Sequence, residues 1–356
     1  MNWSSLRSHR DQIEMLRRSI GRGRLAHAFL FAGPAGVGKS LFAHIFAQSL
    51  LCERIPDADL DACGECPSCR LMEAGSHPDF FTVRCPEGKT EIPVELLKGD
   101  QKKRGQDGLI HDLSLRPMVS QLRVAIIDDA NRMNSTGFNA MLKTLEEPPS
   151  DTLLILIVEK LDGILSTIRS RCQLLRFSGL PDQDVAELLV ENQMTSSPAE
   201  AQAVASMCAG SLLAAEQLLN PQLRALREQL YGYLSSPQLK PLEIAKAVTA
   251  GIDSISGNVH EQRQNAGWLI RFTQEYFRLA TLVLSGDSPS SVPRDVESFC
   301  LRHTKSGTAG LELTMALFDL AVVAERRVSW NVNPLRTLEA LFDDLAITTR
   351  RRAAPA

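Results

Sequence analysis

The stretch His27-Ala-Phe-Leu-Phe-Ala-Gly-Pro-Ala-Gly-Val-Gly-Lys39-Ser40 decides the fold. Ala28 to Phe31 is apolar at every position, as a strand buried on both faces of a parallel sheet must be. Gly33 to Ser40 then fits the eight-position phosphate-loop pattern, and helical spacing resumes from Leu41. Glycines let backbone N–H groups turn inward around phosphate oxygens, and the following helix N-terminus adds partial positive charge. Gly33, Gly36, Val37, Gly38, Lys39, Ser40 and Leu41 are therefore the candidate nucleotide contacts. Lys39 suits the β- and γ-phosphates and Ser40 suits Mg²⁺. The expected cofactor is ATP or ADP with Mg²⁺. The rival expectation is a loop that keeps its shape without binding.

Further along, Phe80–Val83, Val124–Ile127, Leu153–Val158 and Leu174–Phe177 read as more buried strands, with helical patterns such as Phe138, Met141, Leu142 and Leu145 between them. This alternation predicts an α/β domain with a parallel sheet and helices on both faces. Val124-Ala-Ile-Ile-Asp128-Asp129 places two carboxylates at a strand tip. Asp128 suits Mg²⁺ held through water. Asp129 is a weak candidate for polarising the attacking water. Its carboxylate sits about 1.5 Å shorter in reach than a glutamate's, and its other reading is a cap on the next segment.

Cys52, Cys63, Cys66 and Cys69 follow C-x₁₀-C-x₂-C-x₂-C within a polar insertion that carries little apolar content. Four thiolates at such spacing suit a closed, tetrahedral, structural Zn²⁺ site, so residues 52–69 read as a zinc knuckle. Cys85, Cys172, Cys208 and Cys300 are isolated and read as core or near-core residues.

The chain has 356 residues, enough for two or three domains at about 100–200 residues each. A hydrophobic content of 44% and a charged content of 23% describe an ordinary globular protein. The net charge of −3 argues against a whole-chain electrostatic grip on nucleic acid, and 5% aromatics argue against base-stacking platforms. The first 23 residues carry no apolar run of signal-peptide length, and no apolar stretch is long enough to span a membrane. The expectation is a cytoplasmic chain without a membrane partner. After Phe177 the strand signals stop. The expected organisation is an α/β module over 1–178, a small helical lid over 179–220 and an all-helical collar over 221–356, with a frayed tail from Arg350.

Taken together, the phosphate loop, the four cysteines, Ser76-His-Pro-Asp-Phe80, Asn139-Ala-Met-Leu-Lys-Thr-Leu-Glu-Glu-Pro-Pro149 and Thr167-Ile-Arg-Ser-Arg171-Cys172 closely resemble the AAA+ clamp-loader subunits of bacterial DNA polymerase III. The resemblance covers residues 5–180. It implies an AAA+ P-loop NTPase module, a collar that joins other subunits, and a role in placing a sliding clamp on primed DNA. The implied partners are the gamma/tau motor subunits, the clamp-opening delta subunit and, through the assembly, the clamp and primer-template DNA.

Three departures bear on the branch of the family. Ile157-Val158-Glu159 stands where a motor subunit carries a polar sensor, Gly210-Ser211 is followed by Leu-Leu-Ala-Ala without the second-sensor arginine, and Asp129 replaces a glutamate. These point to the delta-prime branch, a stator with little or no hydrolysis of its own. The alternatives are an ATP-hydrolysing gamma/tau-like motor and a purely structural subunit with a vestigial loop. The resemblance makes Arg171 an arginine finger presented in trans, with Arg169 its nearest competitor; from residues alone Arg171 reads as a surface arginine. Lys143 reads as outward-facing. Lys102, Lys103 and Arg104 lie in an excursion, residues 84–108, with no assigned role. His27 and His77 read as structural.

Overall fold

The computed structural model describes residues 2–86, 88–89, 91–100, 107–257, 259–287, 292–304, 307–329 and 332–353. The basic run at 102–104 lies outside them. The chain divides into two compact units, Met1–Glu216 and Gln217–Ala356.

The first unit is built on five strands: β1 (Ala28–Ala32), β2 (Phe80–Val83), β3 (Arg123–Ile127), β4 (Thr152–Val158) and β5 (Gln173–Arg176). They run parallel in the order β2-β3-β4-β1-β5. β1 is interior, pairing Ala32 with both Val158 and Arg176, so the turn that follows it emerges at the carboxyl edge of the sheet. Ligands of open α/β sheets bind at that edge.

Alternation sorts the strand residues between two cores. Leu30, Ile127, Leu154 and Leu156 face α4 (Val94–Lys98), α5 (Leu109–Ser114), α6 (Ser135–Glu146) and α7 (Ser166–Arg169). Phe29, Phe31, Ile126 and Ile155 face α1 (Arg10–Gly21) and α2 (Lys39–Leu51). Helix α2 is apolar nearly all round because it is buried nearly all round. Its Phe42 and Phe46 pack edge-on against Phe31 and Phe29. Helix α3 (Pro67–Glu73) ends the cysteine insertion, with Cys66 at its N-cap and Cys69 in its first turn, and α8 (Asp182–Glu191), α9 (Pro198–Ala205) and the start of α10 (Leu212–Leu219) complete the unit.

The excursion at 84–108 is only partly a surface feature. Ile92 and Leu97 are 1% and 0% exposed and belong to the first core. Leu97 enters through α4, which is too short to display a helical period, and Ile92 through the segment just before it.

The second unit is all helical: α11 (Pro221–Leu234), α12 (Pro241–Ile255), α13 (Val259–Ser285), α14 (Arg294–His303), α15 (Thr308–Ser329) and α16 (Pro334–Ala353). Proline opens three of these helices, where its missing N–H costs nothing. The Asn220 carboxamide accepts from the N–H groups of Gln222 and Leu223 at the start of α11. Tyr276 is the aromatic hub, in edge contact with Tyr231, Phe277 and Phe299. The backbone at 350–353 is not frayed; it continues α16, whose Leu345 and Ala346 are buried one turn earlier.

One buried ion pair stitches the sheet edge. Asp79, just before β2, and Arg123, which opens β3, lie 3.5 Å apart with side chains 0% and 3% exposed. Asp79 also accepts backbone hydrogen bonds from Met118, Val119 and Ser120 at 2.7–2.9 Å. Burial works to raise its pKa, but the three N–H groups and the Arg123 guanidinium outweigh burial and hold it below the usual carboxylate range. A depressed carboxyl stabilises the fold above its unfolded pKa and loses that contribution as pH falls. Asp79→Ala is expected to cost about 3–5 kcal/mol at neutral pH. In urea titrations the gap between wild type and Asp79→Ala narrows as pH drops below the ordinary carboxylate range.

Candidate functional site

The turn from β1 into α2 forms a phosphate loop. Gly36 and Gly38 take φ of +69° and +92°, which L side chains rarely adopt. A Cβ at Gly36 would lie 2.6–2.7 Å from Ser211 Oγ and the backbone and Cβ of Leu213, and the Leu212 N–H donates to the Gly36 carbonyl at 2.9 Å. The start of α10 thus closes directly over the loop. From the other side His9, 6% exposed and packed edge-on against Phe177 and Phe42, donates from Nε2 to the Val37 carbonyl at 2.8 Å. Lys39 is 6% exposed, and its Nζ donates to the carbonyls of Gly33 and Pro34 at 2.8 and 2.6 Å. Burial lowers its pKa, against the opposing pull of Glu159, Asp128 and Asp129. A desolvated ammonium amid inward-turned backbone is suited to an anionic phosphate.

Asp128 and Asp129 stand at the end of β3, both half-buried. Asp128 accepts from the Asp129 N–H at 3.0 Å. Asp129 has φ +53° and occupies the N-cap position of a short turn over Ala130–Arg132, yet its side chain makes no capping hydrogen bond; it lies 3.9 Å from Arg132. Burial and the Asp128 charge raise its pKa, with Arg132 opposing. At the neighbouring end of β4 the Val158 carbonyl accepts from the Gly33 N–H at 3.2 Å. Ile157 and Val158 are 3% and 1% exposed, so no polar side chain reaches the loop from these two positions. Glu159 follows at once and is exposed, and its charge is felt by both Lys39 and Asp129.

Arg171 is apart from this cluster, just beyond α7. Its guanidinium donates to the Thr167 carbonyl at 2.9 Å and to Ser170 Oγ at 3.4 Å, and pairs with Glu146 at the end of α6 at 2.9 Å. About a third of the side chain remains exposed. Arg169 and Lys143 are exposed, while Phe138, Met141 and Leu145 of the same α6 helix are buried.

The four cysteines converge. The sulfurs of Cys52, Cys63, Cys66 and Cys69 all lie within 4.8 Å of one another. The N–H groups of Cys63, Cys66 and Cys69 donate to the sulfurs of Cys52, Cys63 and Cys66 at 3.3–3.4 Å. The Glu65 and Cys66 N–H groups bring the Cys63 thiol down to about 6, while burial pushes Cys69 up to about 12. Amide N–H groups aimed at convergent sulfurs are the second shell a thiolate-bound cation needs, and this donor set could hold one metal ion. His77 and Ser68 brace the cluster from behind: Ser68 Oγ donates to Glu53 at 2.7 Å and lies 3.2 Å from His77 Nε2. His77 is therefore part of the scaffold.

In the sequence His9 carries no assigned role, and Glu159 and Ser211 figure only beside the absent sensor residues. Only Glu159 left a signal there, as a carboxylate immediately after a buried strand. His9 and Ser211 are brought to the loop by chain packing across long sequence distances.

The family described as "DNA polymerase III, delta subunit" matches residues 8–181. The chain is 35% identical over 211 residues to DNA polymerase III subunit delta' of Pseudomonas aeruginosa, covering 59% of this chain and 61% of that one. It is 31% identical over 221 residues to the delta' subunit of Escherichia coli, covering 62% and 63%. It is also 32% identical over 178 residues to subunit tau/gamma of Haemophilus influenzae, covering 50% and 24%. The matched stretches span about three-fifths of the length of the delta' relatives.

Two glycines offer a matched test of the loop. Gly23→Ala meets open space at φ +63° and costs only backbone strain, about 1–2 kcal/mol. Gly36→Ala adds a collision with Ser211 and Leu213 and is expected to cost about 1–3 kcal/mol more, read as a lower urea midpoint.

Proposed function

We propose that this chain is the delta-prime, or stator, subunit of a clamp loader; the match of residues 8–181 to the family described as DNA polymerase III, delta subunit, and the 31–35% identity to delta' subunits support that reading. Its task is to help open a sliding clamp and place it on primed DNA in the cytoplasm. It works beside gamma/tau motor subunits and a clamp-opening delta subunit, with the helices after residue 220 as its collar and residues 179–220 as its lid. No helix among the described residues is long and apolar enough to cross a membrane.

The observation that carries the stator reading is the end of β4. Ile157 and Val158 are sealed in the core beside Gly33, where hydrolysis calls for a hydrogen-bonding side chain. The loop itself is fitted for nucleotide. Gly33, Gly36, Val37, Gly38, Lys39, Ser40 and Leu41 would hold the phosphates of ATP or ADP, and Ser40 and Asp128 would hold Mg²⁺. Little hydrolysis follows, because Asp129 points toward Arg132. Arg171 serves the neighbouring subunit instead. Its planar, permanent charge covers the charge that develops on a transferring phosphoryl group. The cysteine cluster holds a structural Zn²⁺.

A second reading, a gamma/tau-like motor, is favoured by one feature: Glu159 supplies a further carboxylate near Lys39 and Asp129.

The two readings separate in clamp- and DNA-stimulated ATP turnover of the reconstituted complex, once assembly of each variant is verified. Arg171→Ala is expected to lower turnover at the one site it serves by about 10³-fold, while Lys39→Ala leaves turnover unchanged. Comparable losses in both variants would make the chain a motor. Metal analysis is expected to find about one zinc per chain, lost in Cys66→Ser and Cys69→Ser.

A further inference from the structure

Beside the phosphate loop opens a cleft of about 730 Å³, within the range of small-molecule sites. Its floor is the loop and the first turn of α2, represented by Val37, Gly38 and Leu41. The N-terminal segment from Asn2 to Arg7 forms one side, and Leu180, Leu188 and Leu212 form another. The remaining wall is Ala62-Cys63-Gly64, part of the cysteine cluster's own loop.

That wall has little to hold it except the cluster. Gly64 is exposed with φ +73°, and Ala62 and Cys63 are only half-buried. Cys63 is anchored through sulfur, its Sγ accepting from the Cys66 N–H and lying 4.0 Å from Cys69 Sγ. The same loop also grips the neighbouring wall. Leu60, fully buried with φ +47°, offers its carbonyl to the Trp3 indole N–H at 2.6 Å, and the Trp3 ring packs edge-on against Phe42 of α2 at 5.0 Å. Two of the three sides therefore depend on where the cysteine loop sits.

We propose that the Ala62–Gly64 segment is a binding surface for the nucleoside part of the bound nucleotide, so that metal occupancy of the four-cysteine cluster sets nucleotide affinity. This rests on the nucleotide-binding part of the reading above and assigns the metal loop a second role beyond ordering itself. The cleft is lined both by Val37, Gly38 and Leu41 of the loop and by residues 62–64, so a nucleotide whose phosphates sit on the loop has its nucleoside part beside that segment. A loaded cluster pins Cys63 and fixes the cleft's width. A stripped cluster frees the wall and, through Leu60 and Trp3, loosens the segment beside it.

The test is calorimetric titration of the full chain with Mg-ADP, using metal-loaded and chelator-stripped wild type, Ala62→Phe and Lys39→Ala. Circular dichroism and urea midpoints confirm the fold of each. Ala62→Phe narrows the cleft while leaving all four thiolates in place, so it separates the wall from the metal. Stripping the metal and Ala62→Phe are each expected to weaken binding about tenfold or more, with Zn²⁺ restoring the stripped protein. Binding lost in Lys39→Ala but unchanged in both Ala62→Phe and the stripped chain would overturn the inference and leave the nucleotide reading standing. Absence of Mg-ADP binding by the loaded wild type would overturn both.

Discussion

The structure turns on a lysine that must be carried into the protein interior at the end of a buried strand. Lys39 has little water around it, and two loop carbonyls receive its protons. That arrangement demands an interior strand to bring the loop to the sheet's edge, glycines at positive φ to curl it, and a helix starting at once beyond it. β1, Gly36, Gly38 and α2 meet these demands in succession. The aromatic core of Phe29, Phe31, Phe42, Phe46 and Phe177 makes the base rigid enough to hold a desolvated charge in place.

How much of this is legible in the sequence depends on the range of the interaction. β1, β3 and β4 are legible because burial on both faces leaves them almost wholly apolar, whereas the edge strands β2 and β5 carry the exposed Thr82 and Arg176 and show only short apolar runs. The cysteine cluster is legible because its ligands are close in the chain. Leu97 escapes notice because a helix of five residues shows no period, and Ile92 because it stands alone in the non-helical stretch before that helix. His9 and Ser211 reach the loop by packing between segments far apart in sequence, which no local pattern encodes. Arg171 is a different case. Its position is visible, but its partners within the chain, Thr167 and Glu146, are those of any surface arginine. Only the surrounding motif suggests that it acts on a neighbour.

On the proposed stator reading, local chemistry accounts for a chain that keeps a phosphate loop while weakening hydrolysis. The loop is specified by backbone conformation and one buried charge. Hydrolysis would call on single side chains at strand ends, where this chain has Ile157, Val158 and Asp129. Changes at these positions leave the sheet intact, since Ile157 and Val158 improve the core that a polar side chain would interrupt.

The cleft's floor and three sides come from the beginning, the middle and the far end of the first unit. Arg7 meets Glu187 across 180 residues of chain. A ribosome therefore releases the phosphate loop long before the segment that roofs it. Over that interval the nascent chain holds a loop, a helix and a thiol cluster without a closed site. Contacts of such sequence separation must meet the cost of closing a long loop before they are rewarded, and the cleft closes only once the chain beyond Leu180 has emerged.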